Sequence, residues 1–124
     1  MKIIKTDKLP APAGSYSQAV QSNGIIYISG QIALDKGTGE LMETGLTDQT
    51  RVIMDNISMF LSDMNISIDH IVKVTVYMTD ISMFSQFNTI YSSYFEKNFP
   101  ARVVVGVSEL PKGAKIEMEA IVEK

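Results

Sequence analysis

Arg102 and Glu117 are the residues whose types and settings in this sequence can do chemistry together. Arg102 heads "RVVVGV" (Arg102 to Val107), a nearly unbroken β-branched run that reads as a buried strand. A buried strand is a costly place for a guanidinium without a partner. Two readings stand. Either the side chain snorkels into water from a strand end, or its planar fork clamps a carboxylate bidentately with a charge that pH does not remove.

Glu117 lies in "KIEMEA" (Lys115 to Ala120), where Ile116, Met118, Ala120 and Val122 form the core row and Lys115, Glu117 and Glu119 the other. Such a charged row is ordinarily solvated. In a cleft between subunits, the same carboxylate becomes a candidate general acid/base or water-positioning group. Asn88 is the polar member of a stripe otherwise made of Phe84, Tyr91 and Phe95, and a packed amide needs partners.

Other chemistries are narrowed by what is missing. The chain has no cysteine and one histidine, His70. Thiol catalysis and thiolate metal sites are excluded, and a two-histidine nuclease mechanism is impossible. His70, beside a strand start, reads as structural. Gly37-Thr38-Gly39 lacks the lysine and the strand–turn–helix setting of a phosphate loop. The eight methionines are scattered and read as core filler.

Positioning these residues falls to a short list of elements. Ile25 to Ser29 reads as a buried strand after an Asn23-Gly24 hairpin turn, with Gln31 to Leu34 extended and Asp35 to Glu40 a second turn. Ile53, Ile57, Phe60, Leu61 and Met64 share one helical face, with Thr47 as the expected N-cap and Asn65 as the stop. Ile71 to Met78 alternates as a strand. A second helix is expected from Ser82, carrying Phe84, Phe87, Tyr91, Tyr94 and Phe95 and ended by Pro100. Arg102 to Val107 and Lys115 to Val122 are strands joined by a turn at "ELPKG".

The expected fold is a single α+β domain over 1–124, with both helices on one face of the sheet. Val103, Val105 and Val107 point away from Val104, so the second sheet face is apolar too and calls for cover, most simply by another copy of the chain. With 124 residues the chain buries a core without staples. A net charge of −3 argues against a nucleic-acid surface. No stretch has the length of a membrane span or a signal-type apolar region, and a cytoplasmic location is expected.

Several of these segments, taken in order, resemble the Rid family of reactive-intermediate deaminases, also called YjgF-type or L-PSP-type proteins. They are "SGQI" (Ser29 to Ile32), "TGE" (Thr38 to Glu40), "VKVTVYMTD" (Val72 to Asp80), "FPAR" (Phe99 to Arg102) and "LPKGAKIEMEA" (Leu110 to Ala120). The resemblance runs from about Pro10 to the C-terminus. It implies a chorismate-mutase-like subunit with a roughly six-stranded mixed sheet, assembled as a homotrimer with clefts between subunits. It also implies cofactor-independent hydrolysis of 2-enamine and 2-imine acids, such as 2-aminoacrylate, to 2-oxo acids and ammonia.

Carried onto this chain, the resemblance makes Arg102 the carboxylate anchor and Glu117 the group that orients water and shuttles protons. Tyr16 and Ser29 close the rim and complete the water's hydrogen bonding. Asn88 and main-chain groups at Gly30 and Val104 complete ligand binding. The chain departs from the family pattern twice: Val103-Val104 follow the arginine where active deaminases usually read Ser-Cys, and Ser15 stands where the family usually has proline. Two other functions stand beside the deaminase: a non-catalytic trimeric regulator that binds a 2-oxo acid or amino acid, and an endoribonuclease or translation inhibitor.

Overall fold

The computed structural model describes residues 1–124. In chain order the elements are β1 (Lys2–Ile4), β2 (Ala19–Ser22), β3 (Ile25–Gln31), α1 (Leu46–Asp63), β4 (Ile71–Met78), α2 (Phe84–Ser92), β5 (Ala101–Gly106) and β6 (Ile116–Glu123). The strands form one sheet in the order β1-β2-β3-β6-β4-β5. Only β4 and β5 run parallel, with α2 in the crossover between them. The α+β class and the six-stranded mixed sheet agree with the expectation. No helix is long and apolar enough to cross a membrane.

The β2–β3 hairpin turns on Asn23 (φ 52°) and Gly24 (φ 76°), the paired left-handed conformations of a type I′ turn. Strand alternation sends one set of side chains into the core: Ile26 and Ile28 of β3, Val74, Val76 and Met78 of β4, and Ile116, Met118, Ala120 and Val122 of β6. They pack with Ile53, Ile57, Phe60 and Leu61 of α1 and with Phe87 and Tyr91 of α2 in a single cluster. The other face has no such cover. Tyr27, Val103 and Val105 are 45%, 43% and 38% exposed there.

Two helix boundaries differ from the sequence reading. Helix α1 is capped by Gly45, not Thr47, and without a side-chain hydrogen bond. Leu46 is buried as the first helical residue, so helical backbone is already set before Thr47. At the other end the helix stops as expected, with Asn65 at φ 58° and the Ile66 amide returning to the Leu61 carbonyl at 2.9 Å.

The second helix begins as a 3₁₀ turn, Ile81–Met83, capped by the Asp80 carboxylate on the Ser82 amide. It ends at Ser92, eight residues before Pro100. The Ser92 and Ser93 hydroxyls donate to the Asn88 and Ile90 carbonyls at 2.7 and 2.6 Å, a local bonding mode that competes with continued helix. Tyr94 and Phe95 keep helical spacing in the sequence but lie beyond α2.

Candidate functional site

Arg102 sits on β5 opposite Val74 of β4, and Val104 sits opposite the core residue Val76. Both therefore point to the helix-covered side. The guanidinium does not reach water through a snorkelling stem alone: its Cζ lies 5.3, 5.7 and 4.9 Å from the ring centroids of Phe84, Phe87 and Tyr91 of α2. Nη1 donates to Asn88 Oδ1 at 2.8 Å. No carboxylate of the chain comes within ion-pair distance of it. Asn88 thus has the partner its setting demanded, and Arg102 keeps most of its donors for something else. These residues, with Ser92, Phe99 and Pro100, line an open cleft of about 370 Å³. β5 is an edge strand, so its outward main-chain groups around Val104 are free to meet a ligand.

Glu117 sits on β6 opposite Tyr77 of β4, with Glu119 opposite Thr75. Its neighbours Ile116 and Met118 are in the core, so Glu117 points to the uncovered face. A bulge places it. β3 advances three residues from Ile28 to Gln31 while β6 advances two, from Ala120 to Met118, and the extra residue falls at Ser29-Gly30. That distortion lays Gly30 directly against the carboxylate: a Cβ on Gly30 would stand 3.1 Å from Glu117 Cδ and 3.3 Å from Oε2. Bulges of this kind commonly re-aim side chains beside active sites.

The Glu117 carboxyl is held above the ordinary carboxylate range, first by burial and second by the charge of Glu119. Its cleft, about 620 Å³, also takes in Tyr16, Ser29, Gly30, Tyr77 and Lys112. The Ser29 hydroxyl donates to the Ser17 carbonyl at 2.5 Å, so toward a ligand or water it offers acceptor lone pairs only. Tyr16 is half exposed, and its phenol oxygen accepts from the Ala13 amide at 3.3 Å.

Two supports were not found from sequence. Gln18, buried, accepts from the Thr6 amide and donates to the Thr6, Leu9 and Pro10 carbonyls at 2.9 to 3.0 Å, which ties down the segment leading to Tyr16. Lys112, at φ 59°, donates to the Gly39 carbonyl at 2.7 Å and pins the 35–40 turn beside the cleft. A glutamine two residues from a site tyrosine and a lysine in a Pro-Lys-Gly turn give no distinct sequence signal. His70 stands apart from both clefts, its Nδ1 3.1 Å from the Glu123 carbonyl oxygen.

Within one chain the expected site residues therefore fall into two groups. Arg102, Asn88 and Val104 lie on the helix side of the sheet. Glu117, Tyr16, Ser29 and Gly30 lie on or beside the open side.

The Endoribonuclease L-PSP family profile matches residues 6–124. A RutC family protein of Pyrococcus abyssi is 44% identical over 99% of this chain and 97% of its own length. The 2-iminobutanoate/2-iminopropanoate deaminase of Bos taurus is 42% identical over 97% of this chain and 88% of its own. The crystal structure of E. coli TdcF with bound serine superposes with a TM-score of 0.91 at 34% identity, covering 100% of this chain and 99% of that one. With the motif order, the sheet topology and this full-length similarity in agreement, the chain belongs to the L-PSP family, the group that includes the Rid and RutC proteins.

Proposed function

We propose that this chain is a hydrolytic deaminase of 2-imino and 2-enamine acids, acting in clefts between the copies of a homotrimer. The observation that carries the reading is the pair of incomplete half-sites: an anion-binding arginine with donors to spare on one sheet face, and a carboxyl with a raised proton affinity on the other. A neighbouring copy that covers the open face brings one chain's Arg102 to the next chain's Glu117.

In that cleft Arg102 fixes and neutralises the substrate carboxylate, and a β5 main-chain group near Val104 holds the imine nitrogen. Glu117 takes a proton from water as the water oxygen bonds to the imine carbon, and gives it to the nitrogen to form the neutral carbinolamine. It then takes the carbinolamine hydroxyl proton and delivers it to the same nitrogen as the carbonyl forms and the C–N bond breaks, so that ammonia leaves a 2-oxo acid. An enamine enters as its imine tautomer, one nitrogen proton having moved in net to the β-carbon. The raised proton affinity of Glu117 suits a group that must both take and return a proton. Ser29 accepts from the water, Tyr16 closes the rim, and fixed placement of both reactants contributes much of the acceleration. The scheme asks for no cofactor and fits a cytoplasmic protein.

The relative from Bos taurus is named for this activity, and TdcF holds a small amino acid; both support the reading. Ammonia release from freshly generated 2-aminoacrylate tests the proposal. Release at the spontaneous rate, with ligand still bound, would make the chain a non-catalytic binder and regulator instead.

A further inference from the structure

Five rings form a ladder beside Arg102: Phe84, Phe87, Tyr91, Phe95 and Phe99, with successive centroids 6.1, 5.3, 5.0 and 5.9 Å apart. Four rungs are phenylalanine. Tyr91 alone carries a hydroxyl, and the residue is 2% exposed. That hydroxyl is shut off from solvent and bonds to nothing in the chain. A buried hydroxyl without a partner costs folding free energy that a fifth phenylalanine would spare. The ring that bears it is also the rung nearest the guanidinium, at 4.9 Å from Cζ, and it forms part of the wall of the Arg102 cleft.

We infer that Tyr91 is a further ligand-positioning residue, whose phenol donates to the carboxylate that Arg102 binds. The inference rests on the proposed function, since it takes the ligand to be a small 2-oxo or 2-imino acid. A carboxylate offers about four lone-pair directions, and a bidentate guanidinium occupies two. Burial pushes the Tyr91 hydroxyl up to about 12, only partly offset by Arg102. The phenol therefore keeps its proton at neutral pH and meets an anion as a donor. Water does not reach this group in the free chain, so its partner arrives with the ligand. Phe99, the outermost rung, is 67% exposed and meets Phe95 edge-on, which leaves it room to yield as the ligand enters.

The test compares wild type with Tyr91→Phe by calorimetry with 2-oxobutanoate, alongside thermal unfolding and sedimentation. The variant should bind about tenfold more weakly, the effect of one lost hydrogen bond to a charged group, with Tm unchanged or raised and the assembly intact. Equal affinity in the two proteins would overturn the inference and leave Arg102 in place. So would a fall in Tm, which makes the hydroxyl structural. Loss of assembly with affinity per site unchanged would assign the hydroxyl's partner to a second copy and overturn it as well. A wild type that binds no 2-oxobutanoate would remove the Arg102 ligand reading itself, and this one with it.

Discussion

Arg102 and Glu117 face opposite sides of one sheet, on strands separated by β4 alone. Two strand spacings, with the three-residue offset along β4 from Val74 to Tyr77, put their backbones about 14 Å apart, and their side chains diverge from there. No rotamer change within one chain brings the two onto a single small substrate. If both act on one molecule, a second chain must supply one of them.

Arg102→Lys should lose most affinity for 2-oxo acids although the charge is kept, since one ammonium cannot reproduce a bidentate fork. The expected loss is about 1.5–3 kcal/mol, the range for hydrogen bonds to charged groups. Part of it comes from the Asn88 Oδ1 contact that holds the fork in place. Unchanged affinity in calorimetry would reduce Arg102 to packing against the α2 rings.

Gly30→Ala places a methyl 3.1 Å from Glu117 Cδ. The side chain, not the strand, gives way, so the carboxylate moves by a few tenths of an ångström. Turnover should fall about 2- to 10-fold, less than the roughly 100-fold that a full 1 Å misplacement can cost. Affinity for 2-oxo acids should hold. A variant with full turnover would show that the placement of Glu117 by the bulge does not matter.

Much of the fold was legible because alternation and helical spacing are local signals. Ile71 to Met78 and Lys115 to Val122 show their two faces in the sequence, and Asn23-Gly24 marks its turn. The second helix ran too long on paper because Tyr94 and Phe95 keep the aromatic spacing, while the serine hydroxyls that compete with helix at Ser92 and Ser93 look innocuous. β1 has a single buried residue, Ile4, and no pattern to read. Asn88 announced its need for a partner. That Arg102 and Glu117 face opposite ways could not be read, because β5 is apolar on both sides and only its register against β4 shows which side Arg102 takes.

The proton affinity of Glu117 makes a stability prediction. Its folded-state value is raised, so the folded chain holds that proton more tightly than the unfolded chain. This favours folding at low pH, and the advantage is lost as pH rises from the unfolded value through the folded one. Glu117→Gln should therefore be neutral or stabilising at pH 7 and lose any advantage at about pH 4 and below. Denaturant melts at the two pH values check this. A variant destabilised at pH 7 would mean that the ionised carboxylate is held by favourable contacts.

RNA binding should be weak and steeply salt-dependent, given the net charge of −3. Filter binding that stays tight at moderate salt would revive a ribonuclease role for the chain.

The central claim is that each working site takes Arg102 from one copy and Glu117 from another, and subunit mixing tests it most directly. Arg102→Lys and Glu117→Gln homo-oligomers should each have little deaminase activity. Unfolded together in equal amounts and reassembled, they should regain about a quarter of wild-type activity, because random assembly gives that share of sites both native residues. Mixtures no more active than the separate variants would contradict the claim and leave the two clefts as unrelated features of one chain.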